Sequence, residues 1–147
     1  MTVAIAQIET KVAPILVFAL MLCASAAAQA QQKPEQLAEE SSTAWLTLVD
    51  SGKYADSWQE AAQFFKNAVA KEQWQSMLSA TRAPLGKMSS RKVKSATYTT
   101  KLPGAPDGEY VVIQYDSSFE HKQTAVETVR PMLDKDGKWR VSGYFVK

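Results

Sequence analysis

Glu127 is the residue whose predicted position most strongly suggests a functional role, because its carboxylate is expected inside the protein. Residues 124–133 are rich in strand-forming types, and alternate side chains of a strand share one face. Glu127 falls on the more apolar face, so we expect it to be buried and to need a partner. Arg82 and Arg91, at the predicted junction of helices and sheet, are the nearest candidates. Two alternatives stay open, because the opposite register would expose Glu127 and an open pocket would make it a functional carboxylate.

His121 is the one histidine of the chain and the other candidate for acid–base chemistry. It lies in a predicted turn between two strands, and the sequence contains no G-x-S-x-G element and no phosphate-binding glycine loop. Two carboxylate pairs, Glu39 with Glu40 and Asp134 with Asp136, are better explained by a solvated helix face and a hairpin turn. We therefore predict no catalytic set, no metal site and no cofactor.

Aromatic residues are a third kind of candidate, because they can fill a core or line a ligand cavity. We expect most of them to be core, with Trp58 and Trp74 as the first choices for the walls of a cavity. The candidate ligand-binding residues are then Trp58, Trp74, Arg82, Arg91 and Glu127. The side chains predicted to be largely buried in one core are Trp58, Trp74, Val111, Ile113, Trp139 and Phe145.

A basic group marks the start of the predicted sheet and consists of Lys87, Arg91, Lys92 and Lys94. Such a group suits anionic lipid head groups or an acidic partner, and it equally suits a solvated edge strand that its charge protects from aggregation. The whole chain has 17 basic and 15 acidic residues, so its charge gives no argument for a nucleic-acid partner.

Residues 1–30 have the layout of a cleavable signal peptide. Lys11 precedes an apolar run over residues 12–22, and small residues follow before the composition turns polar. The run is shorter than the roughly 20 residues that a membrane span needs. We predict cleavage just before Gln29 or Gln31, a periplasmic or secreted mature protein, and no stable membrane insertion after cleavage.

Two alternatives to simple cleavage stay open. The segment could remain as an uncleaved anchor helix, or the protein could be processed as a lipoprotein at Cys23, although Leu22 is a poor fit to the small residue expected before a lipidated cysteine. Cys23 is the single cysteine of the chain, so cleavage after it leaves a mature protein without thiol or disulfide chemistry.

Residues 31–147 are predicted to form a single α+β domain. Apolar residues at helical spacing indicate three helices, over residues 35–49, 54–69 and 71–81. In the first helix, the residues expected on the buried face are Leu37, Ser41, Ala44, Trp45, Leu48 and Val49. Segments rich in Thr, Val and Tyr, separated by turn signals, indicate four strands, over residues 92–102, 109–119, 124–133 and 139–146. Because no helix separates the strands, we expect N-terminal helices packed on a curled four-stranded antiparallel sheet.

Several spaced elements of the mature chain are distinctive together. They are Tyr54, Ser57-Trp58, Trp74, the RAPLG segment at residues 82–86, Arg91, and the DGKWRVSGY segment at residues 136–144. In these elements the chain resembles the bacterial domain-of-unknown-function family numbered 4019. The resemblance implies an exported bacterial domain with no established activity. The order of helices and sheet is also similar to cystatin-like and nuclear-transport-factor-like rolls, an analogy that concerns fold alone.

The sequence therefore favours a non-enzymatic exported protein that binds an envelope partner protein or a small ligand. The alternative is a small hydrolase or isomerase that uses Glu127 or His121 inside a cavity. A third possibility is an accessory domain that binds another envelope protein through its sheet face. A deep pocket around Glu127 would favour the enzyme, whereas a filled core would favour the interaction protein.

Overall fold

The computed structural model describes residues 32–147, so the predicted signal peptide, its cleavage site and Cys23 lie outside the described residues. The four helices are α1 (Pro34–Asp50), α2 (Tyr54–Gln59), α3 (Gln63–Ala68) and α4 (Lys71–Arg82), and a 3₁₀ turn at Ala83–Leu85 follows. The strands are β1 (Met88–Thr99), β2 (Tyr110–Phe119), β3 (Lys122–Leu133) and β4 (Trp139–Val146). They form an antiparallel sheet in the order β1-β2-β3-β4, which confirms the α+β fold. No helix within residues 32–147 is long and apolar enough to cross a membrane.

The predicted helix over residues 54–69 is wrong, because the chain forms two short helices there. Ala61 and Ala62 are fully buried between α2 and α3, and the amide of Ala62 donates to the carbonyl of Val141 at 2.8 Å. This bond to β4 replaces the helical hydrogen bond that continuous winding would have made. Tertiary packing has therefore overridden a helical apolar pattern.

Helix α1 buries a stripe rotated from the predicted one. Trp45 and Val49 face the core as expected, together with Ala38, Ser42 and Leu46. The predicted members Ala44 and Leu48 are exposed and partly buried, respectively. Apolar side chains cover a wide arc of this helix, so periodicity alone does not decide which part of the arc meets the sheet. As a consequence, Ala44 and Leu48 form an apolar strip beside the core.

The core contains α1, α4 and the inner face of the sheet, and Trp74, Val111 and Ile113 are buried in it as predicted. Trp58 and Trp139 are only partly buried.

The predicted burial of Phe145 is wrong, since this residue is 47% exposed. Val141 and Tyr144 lie opposite Pro131 and Val129, so β4 contains one extra residue at this point. A bulge of this kind reverses the alternation of faces beyond it and turns Tyr144 inward and Phe145 outward.

Strand β1 starts at Met88, four residues before the predicted start. Arg91 is therefore a strand residue paired with Ser117, and it faces inward rather than lying at the junction between helix and sheet. In β3 the extra residue lies at positions 123–124, before Ala125. The alternation from Ala125 onward is consequently intact, and Glu127 faces inward as predicted.

The two edge strands of the sheet differ in how their outer side is covered. On β4, the outward carbonyls of Trp139 and Val141 accept bonds from the hydroxyl of Ser41 and the amide of Ala62. On β1, Lys92 and Lys94 are exposed, which fits the interpretation of part of the basic group as charge on an edge strand.

Gly86 permits the turn between β2 and β3 to pack on the segment that follows α4. Its φ is +73°, and a Cβ there would lie 2.8 Å from His121 Cδ2 and 2.9 Å from Glu120 Cβ. The amide of His121 donates to the carbonyl of Leu85 at 2.9 Å across this contact. Only glycine fits both the backbone conformation and the space.

Candidate functional site

Glu127 is completely buried on β3, and its two carboxylate oxygens accept four hydrogen bonds. Arg91 donates Nε to Oε2 at 2.7 Å and Nη2 to Oε1 at 3.0 Å, in a bidentate arrangement. Ser117 donates its hydroxyl to Oε2 at 2.5 Å, and Tyr144 donates its hydroxyl to Oε1 at 2.6 Å. The carboxylate is therefore held from β1, β2 and β4, the three other strands of the sheet.

Asp50, at the end of α1, joins the two arginines to each other. Its Oδ1 accepts from Arg82 Nη2 at 2.8 Å, and its Oδ2 accepts from Arg91 Nη1 at 2.7 Å. Arg82 also donates to the hydroxyl of Tyr144 at 3.1 Å and approaches Glu127 Oε1 at 3.6 Å. We call this set the buried ionic cluster, and its members are Asp50, Arg82, Arg91, Ser117, Glu127 and Tyr144. Asp50 lies at its exposed end, and Arg91 is partly buried.

The charges of the buried ionic cluster balance, because two arginines face two carboxylates and the hydroxyl groups are neutral. Burial, followed by the neighbouring charge of Glu127, raises the pKa of Tyr144. Burial works against the charged form of Arg91, but its bonds to Asp50 and Glu127 outweigh this effect and raise its pKa. The guanidinium of Arg82 also lies 4.7 Å over the ring of Phe119.

The structure therefore confirms the predicted burial of Glu127 and its pairing with arginine, although Arg91 is the direct partner and Arg82 acts mainly through Tyr144. Sequence reasoning missed Asp50, Ser117 and Tyr144. Tyr144 could have been found from Gly143, because a glycine inside a strand pattern signals the bulge that turns its neighbour inward.

His121 is exposed in the turn between β2 and β3, where its backbone amide hydrogen-bonds to the carbonyl of Leu85 in the segment after α4. No acid or hydroxyl within residues 32–147 is hydrogen-bonded to its imidazole. The described part of the chain also contains no group of three or more His, Cys, Asp or Glu side chains arranged to hold a metal ion.

The other two predicted site residues, Trp58 and Trp74, lie away from the buried ionic cluster. The indole N–H of Trp74 donates to Ser57 Oγ at 3.0 Å, and that of Trp45 donates to Ser57 O at 2.7 Å. Trp74 also packs edge-on against Phe65, with ring centroids 5.0 Å apart. The recess among these rings leaves no space for a water-sized ligand, so Trp74 acts here as a packed core residue.

A half-enclosed cleft of about 310 Å³ opens between α1 and the start of β4. Sequence reasoning did not identify it, because it arises from the rotated stripe of α1. We call it the Trp139 cleft, and its lining includes Ser41, Ala44, Leu48, Glu60, Lys138 and Trp139. Ligand sites of small molecules start at about this volume and combine apolar walls with a few polar groups.

Two further surfaces are less enclosed. A shallow groove of about 750 Å³ between the start of α2 and α4 is lined mainly by small and polar residues, such as Gly52, Ser76 and Ser79. On the outer sheet face the guanidinium of Arg130 lies 4.6 Å over the exposed ring of Phe145. An accessory domain that binds through its sheet face, the third possibility, would present this pair to its partner.

One family model matches the chain over residues 41–144, and it is described as a protein of unknown function, DUF4019. The matched span runs from Ser41 at the Trp139 cleft to Tyr144 in the buried ionic cluster. Comparisons with curated proteins and with solved structures gave no significant match. The likeness to cystatin-like and nuclear-transport-factor-like rolls consequently stays a prediction. Since the family model covers most of its length, this chain belongs to the DUF4019 family.

Proposed function

We propose that this protein is an exported, non-enzymatic binding protein of the periplasm that takes a partner protein or a small ligand at its helix–sheet side. Export rests on the order of Lys11, the apolar run and the small residues in the first thirty positions. Binding rests on the contrast between two sets of polar groups. The polar groups of the buried ionic cluster hydrogen-bond to each other. In contrast, the side chains of Glu60 and Lys138 and the indole N–H of Trp139, around the Trp139 cleft, make no hydrogen bond within the described residues.

The cleft is the observation that carries this proposal. Its walls combine the apolar side chains of Ala44 and Leu48 with an indole, an ammonium and a carboxylate. A surface of this composition can bury part of a ligand and still satisfy its polar atoms.

The alternative of a hydrolase or isomerase has no comparable support. A carboxylate that acts as a general base has to reach the proton that it abstracts. Glu127 is completely buried, and Arg91, Ser117 and Tyr144 occupy its oxygens. Catalysis by this residue would require the cluster to open.

Affinity capture tests the binding proposal. The tagged mature protein is incubated with periplasmic extract of its native cells, and mass spectrometry identifies both the proteins and the small molecules retained. We expect one or more components that an excess of untagged protein displaces. Retention that is equal on tag-only resin, or that untagged protein does not displace, would contradict the proposal.

Export is tested on its own by sequencing the amino terminus of the protein isolated from cells. We expect the mature terminus between Ala26 and Gln32, where the small-residue sites end. An intact Met1 on a membrane-bound product would contradict export with cleavage.

A further inference from the structure

Trp139 differs from the other three tryptophans in its hydrogen bonding. The indole N–H groups of the other three donate to protein oxygens, with Trp45 and Trp74 bonding to Ser57 and Trp58 bonding to the carbonyl of Val69 at 2.7 Å. The indole N–H of Trp139 makes no hydrogen bond within residues 32–147, and its nitrogen is not fully buried. It is therefore open to solvent on a partly buried ring that lines the cleft.

Apolar surface adjoins this indole on the other wall of the cleft. Ala44 and Leu48 belong to the apolar arc of α1 but are left outside the core by the rotation of the buried stripe. Trp45 closes the floor between them and the core. The cleft thus offers an aromatic ring and aliphatic groups to the flat, apolar side of a ligand.

The polar groups of the cleft include both donors and acceptors. Ser41 uses its hydroxyl proton on the carbonyl of Trp139, at 2.7 Å, and retains its lone pairs. The side chains of Glu60 and Lys138 make no hydrogen bond and no ion pair within the described residues, and both line the cleft. An acceptor, a donor and the free indole N–H are consequently available together.

Charges of both signs surround the cleft. Arg140 is held by Asp134 at 2.9 Å and by Asp136 at 2.7 Å, so these three side chains together carry one net negative charge. Lys138 adds one positive charge and Glu60 one negative charge, so the surroundings of the cleft keep one net negative charge. An anionic ligand would be repelled by Glu60 and a cationic ligand by Lys138.

We infer that the Trp139 cleft binds a neutral saccharide unit, an inference that rests on the proposed binding function. A sugar ring has an apolar C–H side that can lie against an indole, and its hydroxyl groups both donate and accept hydrogen bonds. Those hydroxyls match the mixture of Glu60, Lys138, Ser41 and the indole N–H. A neutral ring also avoids repulsion by either Glu60 or Lys138.

Indole resonances give a direct test, because the chain has four tryptophans and all of them lie in the mature protein. In a ¹H–¹⁵N spectrum of the mature protein, Trp139→Phe assigns the Trp139 indole signal by its disappearance. The protein is then titrated with cellobiose, maltose and N,N′-diacetylchitobiose, and with glucuronate and glucosamine as charged comparisons. We expect at least one neutral disaccharide to shift the Trp139 signal saturably, with smaller shifts of the other three signals.

Matched carboxylate variants sharpen the test. Glu60→Gln should weaken binding of the active disaccharide about threefold to tenfold, because the amide oxygen is a weaker acceptor than a carboxylate oxygen and the amide NH₂ group cannot accept. Glu72→Gln, an exposed change on α4 outside the cleft, should leave the affinity unchanged. Equal affinities of the two variants would overturn the assignment of Glu60 and, with it, the inference.

The remaining outcomes separate the inference from the proposed function. If no neutral disaccharide shifts the Trp139 signal saturably, or if a charged sugar binds more tightly than every neutral one, the saccharide inference is wrong. If material recovered by affinity capture shifts other resonances but not that of Trp139, binding stands and the cleft assignment fails. If neither the sugars nor any captured material shifts any resonance, both proposals fail.

Discussion

The buried ionic cluster and the Trp139 cleft both lie where the helices meet the sheet, but their polar groups are used in opposite ways. In the cluster, Glu127 accepts four hydrogen bonds and Asp50 bridges two arginines. In the cleft, the side chains of Glu60 and Lys138 and the indole N–H of Trp139 make no hydrogen bond within the described residues.

The difference shows how burial separates structural polar groups from available ones. A buried charge must be compensated within the protein, whereas a charge at a cleft can be solvated until a ligand replaces the water. The cluster is therefore expected to govern stability and the cleft to govern binding. The predictions that follow test this division in order of decreasing effect.

Breaking the buried ionic cluster from one side should have the largest effect. Removal of one member of a buried ion pair typically costs about 3–5 kcal/mol, because the other charge is left uncompensated. We expect Glu127→Ala and Arg91→Ala each to lower the free energy of unfolding by that amount in urea melts. The double variant should lose much less than the sum of the two.

The same cycle with Arg82 should give weaker coupling, because Arg82 approaches Glu127 only to 3.6 Å and also bonds to Asp50 and Tyr144. Additive effects below about 1 kcal/mol for Glu127 and Arg91 would place the pair in the range of exposed ion pairs and contradict the cluster.

Two aromatic truncations test the bulge in β4. Trp74 is buried at 5% exposure, so Trp74→Ala should cost about 3–5 kcal/mol, the usual range for a core aromatic. Phe145 faces outward, so Phe145→Ala should cost less than about 1 kcal/mol. Partly buried Trp139 should fall between them. A loss at Phe145 as large as that at Trp74 would mean that β4 continues without the bulge.

Tyr115 gives a pH-dependent test of a buried hydroxyl group. Burial, followed by the charge of Glu39, raises the pKa of Tyr115 to about 12. The folded state holds this proton more tightly than the unfolded state, whose tyrosines titrate near pH 10, so stability falls as the pH rises from about 10 to 12.

One such group changes the stability by at most about 1.4 kcal/mol per pH unit. We expect Tyr115→Phe to reduce the loss of stability between pH 10 and 12 in urea melts, and to leave stability at pH 7 little changed. An unaltered alkaline slope would contradict the assignment of this loss to Tyr115. Tyr144, whose pKa is also raised by burial, should account for part of the remaining slope.

The smallest effect is expected from removing the free indole N–H. Trp139→Phe removes no protein hydrogen bond of that N–H, whereas Trp45→Phe leaves the buried carbonyl of Ser57 without its donor at 2.7 Å. We expect the Trp45 variant to lose at least about 1 kcal/mol more than the Trp139 variant in urea melts. Equal losses would show that the two indole N–H groups are used alike.

The sequence predicted the antiparallel sheet and the inward position of Glu127, because a period of two is robust where one face is apolar. It failed where a single residue interrupts that period. The extra residue in β4 exchanged the positions of Tyr144 and Phe145, and the early start of β1 brought Arg91 inside the sheet. Bulges depend on pairing across strands, which one strand's pattern does not encode.

The Trp139 cleft was harder to predict for another reason. Trp139 and Leu48 were both expected to be buried, and each meets the core only in part. The cleft depends on how far α1 is rotated on the sheet, and an apolar arc as wide as that of α1 permits more than one rotation. A binding surface formed by residues at the edge of a core leaves no short motif in the sequence.

Exchange of the four indole protons with water tests the division between used and available groups most directly. Each proton is followed by ¹H–¹⁵N spectra of the mature protein, with Trp139→Phe as the assignment control. Hydrogen-bonded indoles exchange only after local opening, so the signals of Trp45, Trp58 and Trp74 should exchange slowly. The account predicts that Trp139 exchanges fastest by a wide margin, and protection of Trp139 equal to that of Trp45 would contradict it.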